Sequence, residues 1–143
     1  MSEFEKLLES YQARVNQKLE VLLPDDDSIL ISAMRYSVLN GGKRLRPILA
    51  YLTGELNDTE AEYIDTLASS LELIHCYSLI HDDLPAMDDD ELRRGNPTTH
   101  KKFDEATAIL AGDALQPLAF ELISTIKTSD RNKVQMISSL SEA

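Results

Sequence analysis

Six carboxylates crowd ten positions of the stretch "HDDLPAMDDDELRRG", residues 81–95: Asp82, Asp83, Asp88, Asp89, Asp90 and Glu91, with Arg93 and Arg94 close behind. Like charges at this spacing repel, and Pro85 prevents one regular helix from spreading them out. Such a run is either a solvated loop or the seat of something strongly cationic. A helix running to about Asp83 would carry Asp82 and Asp83 at its carboxyl end, where the peptide dipole already disfavours carboxylates. Bound cations would resolve that conflict. Hard divalent ions take carboxylate oxygens, and Mg²⁺ keeps waters and shares one or two carboxylates with the phosphates of a substrate. The glycine and terminal glutamate spacing of an EF-hand is absent.

Upstream on the same helix, His75, Ser78 and Asp82 fall at i, i+3 and i+7, one polar face over two turns and about 10 Å long. A polar stripe on an apolar helix lines a cavity, although His75 by itself reads equally as a core histidine and Tyr77 as a core aromatic. A third element is "NGGKRLRP", residues 40–47. It lacks the spaced glycine and the hydroxyl residue of a P-loop. Even so, Gly41 and Gly42 free the backbone, Lys43, Arg44 and Arg46 concentrate charge, and Pro47 suits the opening turn of a helix whose amino end attracts anions. Taken separately, this loop is also consistent with a solvated basic surface, and Arg93 and Arg94 with simple pairing to the acids before them. Adjacent helical residues diverge by roughly 100°, so two neighbouring arginines can serve two different anions.

The elements that must position these groups read as helix after helix. Phe4, Leu7, Leu8, Tyr11, Val15, Leu19 and Leu22 recur at helical spacing until Pro24 and its acidic neighbours interrupt them. Residues 28–39 predict a second helix closed by Asn40 or Gly41 in a left-handed conformation. Pro47 opens a third over 47–56, and 60–83 is the longest, with Ile64, Leu67, Ala68, Leu71 and Ile74 as its apolar spine. Thr98 or Thr99 caps a helix over 100–123, whose Ala106, Ala108, Ala111, Gly112 and Ala114 offer a thin surface for close packing. Residues 132–143 are helical to the last position, and a helix still running there is the mark of a partial domain. No period-two strand is present, so the fold class is all-α.

Composition agrees. A chain of 143 residues, 43% hydrophobic and 27% charged, is sized for one domain. Fourteen basic against twenty-five acidic residues leave a net charge of −11, which disfavours nucleic acid and anionic membrane as partners. The single cysteine, Cys76, excludes a disulfide framework within the chain. No signal-like start and no apolar run of membrane-spanning length are evident, so the chain reads as soluble and cytoplasmic.

In this order and spacing, "GGKRLRP" and "HCYSLIHDDLPAMDDDELRRGNPTTHKKFDEATAILAGDALQ" closely resemble the trans-prenyl diphosphate synthases, and within them the bacterial farnesyl diphosphate synthases, over nearly the whole chain. The resemblance implies an isoprenoid-synthase-type helical bundle and a Mg²⁺-dependent, homodimeric prenyltransferase. Its substrates would be an allylic diphosphate, dimethylallyl or geranyl, and the homoallylic isopentenyl diphosphate. It implies Asp82 and Asp88 as Mg²⁺ ligands with Asp83 assisting, and Lys43, Arg46, His75 and Arg94 as the site for isopentenyl diphosphate. Arg93 would hold the allylic diphosphate and complete the catalytic set with Asp82, Asp83 and Asp88. Tyr77 and Ser78, one turn before Asp82, would set chain length; with the longer form of the aspartate motif, they point to a fifteen-carbon product over a geranylgeranyl one. Family members also carry a second aspartate-rich motif in a carboxyl half that "SSLSEA" does not reach. Residues 1–143 are therefore expected to be the N-terminal portion of one domain, and inactive alone. A non-catalytic partner subunit would have no use for Asp82, Asp88, Lys43 and Arg46, and a terpene cyclase none for "GGKRLRP". A plain acidic metal-binding module would not explain the paired basic groups.

Overall fold

Ser2 opens the first helix with a reciprocal cap. Its hydroxyl accepts from the Glu5 amide at 3.2 Å, and the Glu5 carboxylate accepts from the Ser2 amide at 2.6 Å. From there the structure, a computed structural model describing residues 2–142, runs α1 (Glu3–Leu22), α2 (Ile29–Leu39), α3 (Leu45–Leu56), α4 (Ala61–Asp82), β1 (Leu92–Arg93), β2 (Asn96–Pro97), α5 (Thr99–Lys102), α6 (Glu105–Thr125) and α7 (Asp130–Ser141). It is an all-α bundle. Helix α4 lies at its centre, packed on one side against α6 and on the other against α3, with α1 and α2 flanking. Val15, Leu19, Val38, Tyr51, Leu73, Leu115 and Ile123 are fully enclosed, each contributing roughly 1.5–3 kcal/mol by leaving water.

The buried face of α4 differs from the apolar spine expected for it. Ile64 and Ala68 are buried, but Leu67, Leu71 and Ile74 are only half-buried, while Asp65, Ser69, Glu72, Leu73, Cys76 and Ile80 face the interior. The two buried acids are tolerated because each has its cation. Asp65 accepts from Arg14 Nε at 2.7 Å and from the Tyr51 hydroxyl at 2.9 Å. Glu72 accepts from Arg44 Nη1 at 2.7 Å. Buried carboxylates persist only when paired in this way.

Three boundaries also differ. Helix α3 starts at Leu45, two residues before Pro47, with Arg44 as a left-handed cap (φ 51°); Pro47 still sits in the first turn, where its missing N–H is no loss. The helix expected over 100–123 is two helices. Asp104 is extended, and its carboxylate accepts from the Thr107 amide and hydroxyl, both at 2.8 Å, which starts α6 anew and holds Asp104 below the usual carboxylate range. Thr98 does not cap with its side chain; its hydroxyl donates to the Asp90 carbonyl at 2.7 Å and stitches the acidic loop down. Finally, β1 and β2 form an antiparallel hairpin pairing Leu92 with Pro97 and Arg93 with Asn96. Arg94 (φ 55°) and Gly95 (φ 80°) make its two-residue turn. Two residues per strand are too few for alternation to show.

The small residues of α6 bring it close to α4. A Cβ at Gly112 would collide with the His81 ring, so glycine there gives α6 its close approach to α4, one residue from Asp82. The expectation that no apolar run reaches membrane-spanning length needs correcting: α6 is long and apolar enough by length and composition. In the bundle its Ala108, Ala111, Gly112, Leu115, Ala119 and Ile123 are buried.

Candidate functional site

The loop between α2 and α3 turns through Gly41 (φ 72°) and Gly42 (φ 124°), then through Arg44 in the left-handed region. The result splits the basic run. Arg44 points into the core, while Lys43 and Arg46 stay exposed. Gln12 holds the loop from α1, its side-chain amide donating to the Lys43 carbonyl at 2.9 Å. The hairpin leans on the same loop. Asn96 Nδ2 donates to Asn40 Oδ1 at 2.7 Å, the Tyr36 hydroxyl donates to the Pro97 carbonyl at 2.7 Å, and Arg94 Nη1 donates to the Gly41 carbonyl. The Arg94 guanidinium occupies the space a side chain at residue 42 would need, 2.5 Å from that position.

These contacts close a cleft of 570 Å³ lined by Lys43, Arg46, His75 and Arg94 together, with Arg44 and Glu72 in its wall. Four residues separated by up to 51 positions in the sequence thus share one cavity. Among the described residues, Lys43, Arg46 and Arg94 have no carboxylate within ion-pair distance, on a chain whose net charge is −11. The His75 imidazole is pushed below its ordinary value, first by burial and then by the Arg46 charge, with Arg94 and Arg93 adding to it and Glu72 opposing. Three cations without carboxylate partners among the described residues, beside the His75 imidazole, have the charge to take an anion.

The acidic stretch lies at the end of α4. The Asp88 amide donates to the Asp82 carbonyl at 2.9 Å, and the Met87 and Asp89 amides donate to the Leu84 carbonyl at 2.9 and 3.1 Å. This compact turn brings Asp88 back to the helix terminus. Asp82 is half-buried and Asp88 exposed, and neither carboxylate has a hydrogen-bonding or cationic partner among the described residues. Asp83 differs: it is 3% exposed and accepts from Arg93 Nε at 2.9 Å on both oxygens and from Nη2 at 2.5 Å. That bond is the largest reason the Arg93 guanidinium is held even more firmly protonated than usual. Because the turn at Arg94 intervenes, neighbouring arginines serve opposite sides, Arg93 the acidic end and Arg94 the basic loop. Sequence reasoning had them diverge on a helix; the hairpin achieves the same separation.

No group of three or more His, Cys, Asp or Glu side chains converges as a metal cage among the described residues. Two carboxylates without partners among the described residues nevertheless suit Mg²⁺, which takes few protein ligands and completes its shell with waters and phosphate oxygens. The chain-length candidates lie apart from the basic cleft. The Ser78 hydroxyl donates to the His75 carbonyl at 2.9 Å, so the polar stripe of α4 does not line one cavity. The Tyr77 ring packs edge-on against His81, centroids 5.0 Å apart. Arg46 also opens a second, apolar groove of 830 Å³ between α3, α4 and α7, walled by Leu49, Leu67, Leu71 and Met136.

Glu72 was not foreseen. The available signal is a lone acid in the apolar run "LELIHC", which a buried helix carries only when a cation reaches it.

Residues 27–143 match the Polyprenyl synthetase family. A farnesyl diphosphate synthase of Haemophilus influenzae is 49% identical over 146 residues, covering 99% of this chain and 50% of that protein. One from Escherichia coli is 50% identical over 147 residues, covering 99% and 49%. A crystal structure described as a geranyltransferase from Legionella pneumophila superposes with a TM-score of 0.88 at 46% identity, covering 94% of this chain and 49% of that one. The chain spans about half the length of these relatives.

Proposed function

Because the chain belongs to the polyprenyl synthetase family, we propose that it carries the N-terminal, diphosphate-gathering half of a prenyltransferase domain. The reaction proposed for the complete enzyme joins isopentenyl diphosphate to dimethylallyl or geranyl diphosphate, giving farnesyl diphosphate. The observation that carries this reading is the cleft where Lys43, Arg46, His75 and Arg94 converge, its His75 on the same helix as Asp82 and about two turns before it, with the Asp82 and Asp88 carboxylates unpartnered among the described residues. The acids hold the metal, with Asp83 assisting, and Lys43, Arg46, His75 and Arg94 hold isopentenyl diphosphate. Arg93 meets the allylic diphosphate. Asp83 grips it by Nε and Nη2, which leaves Nη1 available for that role. The relatives' names favour a fifteen-carbon product. The proposal includes a homodimer in the cytoplasm, where the buried Cys76 thiol, pushed up to about 12 by burial, stays unreactive.

Asp82 and Asp88, with Asp83 assisting, would hold Mg²⁺, which would supply positive charge against the negative charge that grows on the departing allylic diphosphate. The chain's own groups do the rest. Arg93 stabilises that same developing charge from a fixed direction, and the cationic cleft holds the second diphosphate so that its double bond faces the allylic carbon. The hydrocarbon runs back along α4 from Asp82 toward Tyr77, whose ring packs on His81, and apolar surroundings there keep water from the allylic cation. The allylic C–O bond breaks, the double bond of isopentenyl diphosphate attacks the resulting cation to form the new C–C bond, and a proton leaves the new chain for the released diphosphate. No protein nucleophile takes part.

The direct test is product formation from geranyl diphosphate and labelled isopentenyl diphosphate in Mg²⁺, with the intact polypeptide carrying these residues. Labelled C15 product that disappears on chelation is expected; no incorporation under any metal condition would sink the reading. In the same assay Tyr77→Ala should shift product toward C20, and an unchanged distribution would remove Tyr77 as the length determinant.

His75 supplies a pH signature. Burial and the Arg46 charge hold its imidazole below its ordinary value in the free protein, and a bound diphosphate raises it again. Binding therefore takes up a proton. The contribution of His75 to affinity is complete below its free-state value and is lost as pH rises through the bound-state value. Calorimetry of isopentenyl diphosphate binding should show this loss in the wild type and not in His75→Gln; parallel profiles would refute it.

A further inference from the structure

Arg44 stands inside the basic run yet is 3% exposed, and each of its three guanidinium nitrogens makes a hydrogen bond. Nη1 donates to Glu72 Oε1 at 2.7 Å, Nη2 to the Val38 carbonyl at 2.7 Å and Nε to Asn16 Oδ1 at 2.9 Å. One side chain thereby joins α1, the end of α2 and α4. Both members of the ion pair are no more than 2% exposed at their side chains. Glu72 lies one helical turn before His75, so the loop that carries Lys43 and Arg46 is tied to the helix that carries the imidazole.

We infer that Arg44 and Glu72 are positioning residues, which set the spacing between Lys43 and Arg46 on the loop and His75 on α4 and so shape the cleft for isopentenyl diphosphate. The inference rests on the reading of that cleft given above. A non-glycine residue at positive φ persists only where its surroundings over-determine it, and at Arg44 the three hydrogen bonds do so. The left-handed cap is what sends Arg44 inward while Lys43 and Arg46 stay outward. The other contacts on this loop are the Gln12 amide at Lys43, the Arg94 contact at Gly41 and the Asn96 amide at Asn40, none of which reaches α4. Arg44 cannot meet a diphosphate without abandoning all three partners. Glu72 explains itself in the same way: a carboxylate is the wrong charge for the wall of an anion site unless its task is to anchor a cation.

The experiment exploits that opposition of sign. Isopentenyl diphosphate affinity is measured by calorimetry for Glu72→Leu, Glu72→Gln and Lys43→Ala. Glu72→Leu is expected to weaken binding about 10- to 100-fold, the range for losing an outer partner that orients a binding group, although it removes a negative charge from an anion site. Glu72→Gln, which keeps an acceptor for Arg44, should recover most of the affinity. Geranyl diphosphate affinity in Mg²⁺ should be unchanged in both, which a general loss of structure would not allow. Equal or tighter isopentenyl diphosphate binding by Glu72→Leu overturns the assignment, since electrostatics alone requires that result. If circular dichroism shows that Glu72→Leu does not fold, Arg44→Lys decides, because it keeps the charge but cannot reach three partners. Weakened binding then supports the assignment and full binding overturns it. Lys43→Ala separates the two levels: wild-type affinity there overturns the cleft reading itself, whereas weakening there with no effect at Glu72 and Arg44 overturns only the positioning.

Discussion

Replacing Asp82 by alanine should lower turnover by at least about 10³-fold while leaving the fold intact, the scale expected when a group that stabilises transition-state charge is removed. The two halves of that expectation come from different observations. Asp82 is the last residue of α4, half-buried, with no partner for its carboxylate among the described residues. Its removal breaks nothing, and it relieves a negative charge at a helix carboxyl end, worth about 0.3–1 kcal/mol in the direction of greater stability. An unchanged or slightly raised thermal midpoint together with lost turnover supports the metal assignment; turnover near wild type removes it. Asp83→Ala is the useful contrast. That carboxylate is buried and holds Arg93, so its loss should lower both stability and rate.

The second large effect is expected at Gly42. Its φ of 124° is strained for any side chain, and the position a Cβ would take is already filled by the Arg94 guanidinium. Gly42→Val should therefore expel Arg94 from the cleft and weaken isopentenyl diphosphate by at least about tenfold, or ~1.4 kcal/mol. Strain of about 1–3 kcal/mol should appear separately as lost stability. Gly41→Ala is the control: its φ of 72° is left-handed too, but nothing stands within 4 Å of the added carbon. If both variants bind isopentenyl diphosphate like the wild type, the Arg94 contact is irrelevant to affinity. If Gly41→Ala loses as much as Gly42→Val, the effect is one of loop backbone alone.

Much of the molecule was legible before any coordinates. Helical periodicity marked the elements, since amphipathic repeats of 3.6 residues are imposed by burial on one side. A left-handed stop after α2 at Asn40 or Gly41 followed from chain stereochemistry, and the fold puts it at Gly41. Lys43, Arg46, His75 and Arg94 were singled out by residue type and motif, and the fold places all four on one cleft. What stayed hidden had physical causes. The break before Asp104 depends on one local cap outcompeting continued helix. The hairpin at 92–97 is too short to carry a period.

By itself, then, the sequence determined that the chain is all-α, where its charges cluster and which of them have the chemistry for metal and diphosphate. Only the tertiary structure decided how those charges are divided. Among the described residues, Asp82 and Asp88 are left without partners while Asp83 is matched to Arg93, and Lys43 and Arg46 face the cleft while Arg44 is buried against Glu72. Residue type sets what a side chain can do, but whether it is available is a matter of desolvation and pairing. Both depend on contacts such as Arg44 to Glu72, 28 residues apart, that no local pattern encodes.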